Sequence, residues 1–145
     1  MSPNGRLLAS AAYDCSVCIW NLRDGSRKYQ WYGSSSFSSV SFHPDGRYLA
    51  SGDHNADFWV WDVRTGQLAA RFNIGRKTYL RVTIAPDGRR VAIGREEQLW
   101  CLDFGLLKDT HSVSDGDTDG DDISCQLDPI FEFNDQVRSL TLVNV

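Results

Sequence analysis

The sequence predicts an all-β chain built from repeated antiparallel sheets. Three turn signals, Pro3-Asn4-Gly5, Pro44-Asp45-Gly46 and Pro86-Asp87-Gly88, lie 41 and 42 residues apart, and an arginine and an apolar run follow each one. The runs between these turns are rich in β-branched and aromatic residues, which favour strands over helices. A repeat period in the forties, with regular turns and short strands, is typical of a β-propeller.

A tryptophan-bearing segment follows each turn. Trp20 and Trp61 lie 17 residues after the proline of their repeat, and Trp100 lies 14 after it. The segments read Cys18-Ile19-Trp20-Asn21-Leu22, Trp59-Val60-Trp61-Asp62-Val63 and Gln98-Leu99-Trp100-Cys101-Leu102. With the repeated turns, they resemble the WD-repeat family over residues 3–105, and more weakly over 130–145. The resemblance implies blades of four antiparallel strands, a to d, with strand a lining a central channel.

The predicted strands follow the repeat, and strand c holds the tryptophan. In the turn before strand b, Pro pre-sets φ, Asp or Asn binds the turn backbone and Gly takes positive φ. The predicted bounds are Phe37–Phe42, Tyr79–Ile84 and Val137–Leu142 for strand a; Leu7–Ala11, Tyr48–Gly52 and Arg90–Gly94 for strand b; and Arg27–Trp31 and Leu68–Phe72 for strand d.

The domain organisation predicted from these strands is a single propeller segment over residues 1–145. Its repeat units are expected at about 1–31, 32–72 and 73–133, with the start of a further unit at 134–145. The first unit lacks strand a and the last has only strand a, which gives three blades' worth of strands. Because propellers typically have about 4–8 blades, we expect an incomplete propeller, that is, a piece of a larger ring. In a full-length protein, two chains exchanging these strands would form a homodimer with a closed ring.

Composition and charge restrict the classes of partner. No run approaches the roughly 18 apolar residues of a membrane-spanning helix, and the start of the chain does not resemble a signal peptide. The net charge of −4 includes six aspartates within residues 109–122, so the repeats themselves are nearly neutral. We therefore expect other proteins or peptides as partners, with no nucleic acid, membrane or cofactor, and an intracellular location, cytoplasmic or nuclear.

An acidic insertion is expected at residues 107–127, between strands c and d of the third unit. Residues 109–122 within it hold six aspartates, no Lys or Arg and few apolar residues, which predicts disorder. Its aspartates partly match a calcium-binding EF-hand loop, but Asp122 and Gln126 depart from the pattern, so a metal site is not predicted and a calcium-responsive module stays an alternative. The carboxylates of that partial match are Asp115, Asp117, Asp119 and Asp121. Three hydroxyl residues each have an aspartate three positions on, which resembles the substrates of acidophilic kinases: Ser112, Ser114 and Thr118.

The resemblance also implies a set of structural anchors. Blades of this family often join a Gly-His pair before strand a, an Asp in the b–c turn and the strand-c tryptophan through buried hydrogen bonds. Here the Gly-His positions read Tyr32-Gly33 and Ile74-Gly75, and one of the three Asp positions is Gly94. A partly satisfied buried network is costly, so we expect degenerate blades of modest stability. The anchors implied are Asp14, Trp20, Asn55, Trp61 and Trp100.

A scaffold for protein–protein interaction is the function predicted, without catalysis, because no nucleophile, metal or phosphate-binding motif occurs. By resemblance, the d–a and b–c loops form one binding rim, and Tyr and Arg are enriched in binding hot spots. The alternative is a fragment of a propeller enzyme whose catalytic residues lie on absent blades. The rim residues predicted are Tyr13, Tyr32, Ser34, Ser35, His54, Arg76, Lys77 and Arg95.

Overall fold

The computed structural model describes residues 1–95 and 98–105, and the backbone of 131–132. Within these residues the strands form three antiparallel sheets, which we call blades 1, 2 and 3. Blade 1 contains β1 (Leu7–Ala11), β2 (Ser16–Asn21) and β3 (Arg27–Tyr32). Blade 2 contains β4 (Phe37–Phe42), β5 (Tyr48–Asp53), β6 (Asp57–Asp62) and β7 (Gln67–Asn73). Blade 3 contains β8 (Arg81–Ile84), β9 (Arg90–Arg95), β10 (Gln98–Asp103) and β11 (Phe131–Glu132).

This architecture confirms the predicted all-β class and the blades of an incomplete propeller. Strands β1 and β4 have the predicted bounds, and most others differ by one residue at an end. Strand β8 begins at Arg81 instead of Tyr79, because Thr78 forms a parallel bridge with Asn55 of blade 2 before the chain joins β9. The strand predicted at Val137–Leu142 and the insertion predicted at 107–127 lie outside the described residues.

The strand register corrects the predicted equivalence of Trp100 in blade 3 with Trp61 in blade 2. In blade 2, Ser51 lies opposite Trp59 and Leu49 lies opposite Trp61. At the matching positions of blade 3, Ile93 lies opposite Trp100 and Val91 lies opposite Leu102. Trp100 therefore takes the place of Trp59, and Leu102 takes the place of Trp61. The error arose because the b–c turn of blade 3 is shorter by one residue, not by three.

Two hydrophobic cores lie on opposite faces of blade 2. Since successive side chains of a strand point to opposite faces, Trp59 and Trp61 face blade 1 while Phe58 and Val60 face blade 3. The first core contains Trp59 and Trp61 together with residues of blade 1 and of the same face of blade 2: Val17, Ile19, Phe37, Leu49 and Val63. The second core contains Ala50, Phe58, Val60, Leu80, Val82, Val91, Ile93 and Phe104.

Serine side chains link strand β4 to strand β8. The Ser38 hydroxyl donates to the carbonyl of Leu80 at 2.6 Å. The Ser39 hydroxyl accepts from the backbone N–H of Val82 at 2.9 Å and also lies 3.1 Å from that residue's carbonyl. These bonds fix the two neighbouring a strands against each other, so blades 2 and 3 share polar contacts as well as a core.

Within the described part of the chain, no helix has the length and apolarity needed to cross a membrane.

Candidate functional site

One end of the blades gathers the b–c turns and the d–a connections, and we call it the loop rim (residues 12–15, 33–36, 53–57 and 73–79). Backbone hydrogen bonds join these segments across blades. Phe37 N–H donates to the Ala12 carbonyl at 3.1 Å, and His54 N–H donates to the Ser36 carbonyl at 2.9 Å. Backbone hydrogen bonds therefore connect the loops of the rim to one another across the blades.

The b–c turn of blade 2 is organised by Asp53. Its side chain is fully buried, and Oδ1 accepts the backbone N–H groups of Asn55 at 2.8 Å and Asp57 at 3.0 Å. Its Oδ2 accepts the indole N–H of Trp59 at 3.1 Å. Ala56 has a positive φ of 63° in this turn, a conformation that is strained for residues other than glycine. The buried carboxylate thus stabilises the turn that presents His54 and Asn55 at the surface.

Three aromatic rings from three blades meet on the rim. The rings of Tyr13 and Tyr79 lie edge to face with centroids 6.4 Å apart, and the His54 ring lies 4.3 Å from that of Tyr79. Tyr13 is 76% exposed and Tyr79 is 46% exposed. We call these residues the ring cluster. Exposed, clustered aromatic rings offer large contact area to a partner at a small entropic penalty.

A groove of about 550 Å³ lies beside the ring cluster, lined by Asn55, Asp57, Arg71, Asn73, Gly75 and Lys77. The Arg71 guanidinium packs over the Trp59 ring, 4.2 Å from its centroid, and donates to the Asp57 carboxylate. The side-chain amide of Asn73 donates to the other oxygen of Asp57 at 2.8 Å. Asp57 is buried and each of its oxygens accepts one of these donors, so the cations of Arg71 and Lys77 dominate the exposed lining.

The predicted rim residues occupy several places. Tyr13 and His54 belong to the ring cluster, whereas Tyr32, which is 65% exposed, lies outside it. The Ser34 hydroxyl accepts from the Asn55 amide at 3.4 Å, and Arg95 donates to the Ile74 carbonyl at 3.4 Å. The remaining predicted residues lie on the d–a connections: Ser35 after blade 1, and Arg76 and Lys77 after blade 2, both exposed.

The implied anchors do not form one network. The indole N–H groups of Trp20 and Trp61 donate to the hydroxyls of Ser10 and Ser51, each at 2.9 Å. Asp14 instead accepts from the backbone and hydroxyl of Ser16 within its own turn. Trp20 and Trp61 are therefore held by serines of strand b, and in blade 2 it is Asp53 that joins the b–c turn to a strand-c tryptophan, Trp59. Trp100 is buried in β10.

Sequence reasoning missed Ser10, Ser51, Asp53, Arg71 and Tyr79. The two serines carried a signal, because each ends a Leu-Ala-Ser triplet ten residues before a tryptophan. Tyr79 was predicted as the first residue of strand a, whereas the structure places it on the connection before β8, where its side chain is exposed. No pattern in the sequence marked Arg71, since its contacts come from a turn 14 residues away.

The acidic segment carries the remaining predicted sites. Ser112, Ser114 and Thr118, and the carboxylates from Asp115 to Asp121, lie outside the described residues. Among the residues that the structure describes, no group of three or more His, Cys, Asp or Glu side chains is placed to hold a metal ion.

Comparison with known proteins gives one match. The family model for the WD domain, G-beta repeat, matches residues 1–21 and 25–62, which cover blade 1 and most of blade 2. No curated protein matches the chain significantly. The matched residues carry two of the three Pro-x-Gly turns and the strand-c tryptophans Trp20 and Trp61. Over these residues the chain is therefore similar to the WD-repeat family.

Proposed function

We propose that the chain is a protein-interaction scaffold without catalytic activity of its own, and that the loop rim binds the partner. The observation that carries this proposal is the ring cluster, in which Tyr13, His54 and Tyr79 bring three blades together at one exposed point. WD repeats generally mediate protein–protein interaction. The partners proposed are other proteins or peptides, in an intracellular compartment.

Rigidity of the rim supports this proposal. The buried Asp53 carboxylate and the backbone bonds between loops fix the segments that carry the rings. A surface that is ordered before binding loses less entropy when a partner docks. The rings of Tyr13 and Tyr79 already touch, so a partner would find a formed aromatic surface.

The carboxylates near the rim support a structural role over acid–base chemistry. Asp53 accepts two backbone N–H groups and an indole N–H. Asp57 accepts donors from Arg71 and Asn73. A general base needs a lone pair that can reach a substrate proton, and both groups are buried and engaged in hydrogen bonds that stabilise the turn.

Selection of peptides on the full 145-residue chain tests the proposal. Immobilised chain is exposed to a phage-displayed library of random peptides, and recovered peptides are measured by fluorescence anisotropy against variants. We expect the double variant Tyr13→Ala, Tyr79→Ala to lose binding at least tenfold. The matched control is Leu22→Ala, an apolar side chain that is 44% exposed at the opposite end of blade 1. Recovery of no peptide, or equal loss with the control, would refute the rim as a binding surface.

A further inference from the structure

We infer that the loop rim binds an extended peptide in which a carboxylate side chain lies two residues from an aromatic or large apolar side chain. This inference rests on the proposed function and adds the chemistry of the partner. The carboxylate is placed in the groove beside Arg71 and Lys77, and the apolar side chain is placed on the ring cluster.

The contacts of Arg71 position its guanidinium so that the groove can bind an anion. Its hydrogen bonds to Asp57 and Ser34 both come from Nη2, and its guanidinium plane packs on the Trp59 ring. The side chain is 41% exposed, and Nε and Nη1 have no hydrogen-bond partner among the described residues. A planar guanidinium fixed in this way matches the geometry of a carboxylate.

The other lining residues favour the same ligand. Lys77 adds a second cation, and it forms no ion pair with the residues that the structure describes. Against these two cations stands the single carboxylate of Asp57, which already accepts from Arg71 and Asn73. The Asn55 and Asn73 side chains add amide groups to the wall. The lining thus carries net positive charge and several N–H donors, which suits a carboxylate.

The spacing between the groove and the ring cluster sets the register of the peptide. Residues 77–82 alternate, with Lys77, Tyr79 and Arg81 exposed and the residues between them buried. In extended chain, side chains two positions apart lie on the same face, roughly 7 Å from each other. A partner in extended conformation has the same repeat, so its carboxylate and its apolar side chain fit when one residue separates them.

The Asn55–Thr78 bridge places the groove and the ring cluster next to each other. This parallel bridge joins blade 2 to the d–a connection. Asn55 lines the groove, and its neighbour His54 belongs to the ring cluster. Thr78 separates Lys77 of the groove from Tyr79 of the cluster. The two sites therefore lie on either side of one bridge and can be occupied by a single short segment.

The peptides recovered by phage selection on the full chain give the first test. We expect them to share an Asp or Glu two positions from a Phe, Tyr, Trp, Leu or Met. Recovered peptides that depend on Tyr13 and Tyr79 but lack an acidic residue would overturn this inference and leave the proposed function standing. A selection that recovers nothing would overturn both.

Charge exchange gives the decisive test, with one recovered peptide resynthesised as the probe. We expect Lys77→Gln to weaken binding about fivefold and Lys77→Glu to weaken it further, while Arg89→Gln, which changes another exposed cation at the opposite end of blade 3, leaves it unchanged. A probe with Lys in place of its acidic residue should bind Lys77→Glu better than it binds the native chain. Equal affinity of the native chain and both Lys77 variants, or no recovery by the exchanged pair, would overturn the inference.

Discussion

Blades 2 and 3 share the same turn and strand order, but different chemistry holds their third strands. In blade 2, the buried indole of Trp61 donates to Ser51 on the neighbouring strand. The matching positions of blade 3 are Leu102 and Ile93, which pack in the core without any polar atom in their side chains. The comparison teaches that the blades of this chain are held by a buried polar pair in one case and by an apolar pair at the same place in the other.

One feature of strand c is retained by all three blades. The residue after the tryptophan position is Asn21, Asp62 or Asp103, and its side-chain oxygen accepts the backbone N–H two residues further on, at 3.0, 2.8 and 2.7 Å. Such a bond stabilises the turn after the strand. The acidic or amide residue of the Trp-Asp pair is thus a turn residue, and it persists in blade 3 where the tryptophan itself is replaced.

The largest effect is expected for Trp61→Ala. The ring is 4% exposed and is stacked between Trp31 and Trp59, with centroids 4.8 and 5.4 Å away. Removing a large buried ring costs about 3–5 kcal/mol of unfolding free energy, which we expect from urea denaturation. Leu102→Ala in blade 3 is the matched variant, with a smaller loss because Leu102 is only partly buried. A loss below about 1 kcal/mol for Trp61→Ala would contradict this packing.

The fold was predictable because its signals are local and repeated. Pro-x-Gly turns and strands with alternating apolar side chains occur in each unit, so the blades and the bounds of β1 and β4 could be derived from the sequence. The equivalence of Trp100 with Trp59 could not be derived in this way. A hairpin that is shorter by one residue shifts the cross-strand partner of every residue in its second strand. Register depends on hydrogen bonding between strands, and a single tryptophan does not determine it.

The candidate site was predictable only in outline. Family resemblance pointed to the loops that carry Tyr13, His54 and Lys77. The contacts that make a surface from them join residues distant in sequence, such as Tyr13 with Tyr79 and Arg71 with Asp57. Long-range contacts of this kind depend on how blades pack against each other, which a single sequence does not specify.

An intermediate effect is expected for Ser51→Ala, which tests the polar pair of blade 2. The variant leaves the buried indole N–H of Trp61 without its acceptor. An unsatisfied buried donor costs about 1–3 kcal/mol, measurable in the same urea titration. Ser10→Ala is the matched control in blade 1, where Trp20 is less buried and water can replace the hydroxyl. Equal losses for the two variants would show that burial does not set the strength of this pair.

The smallest effect is expected for Asp62→Asn, which gives blade 2 the amide found at Asn21 in blade 1. Partial burial acts to raise the pKa of the Asp62 carboxyl, but hydrogen bonds from Arg47 and from the backbone N–H groups of Arg64 and Thr65 outweigh it, and the pKa lies below its ordinary value of 3.8. A carboxylate with a lowered pKa in the folded state contributes stability above the unfolded-state pKa, and this contribution is lost as the pH falls through the folded-state pKa.

The amide keeps an oxygen for the turn and loses the ion pair with Arg47, whose N–H donates to Asp62 at 2.9 Å. Because Arg47 is 46% exposed, solvent screens the pair, and we expect Asp62→Asn to lose no more than about 1 kcal/mol at pH 7. The difference from the native chain should shrink as the pH is lowered below about 4, because protonation removes the same charge from the native carboxylate. Urea titrations of both proteins at pH 7 and pH 3 provide the measurement. A difference that stayed constant between these pH values would show that the turn, and not the charge of Asp62, accounts for its contribution to blade 2.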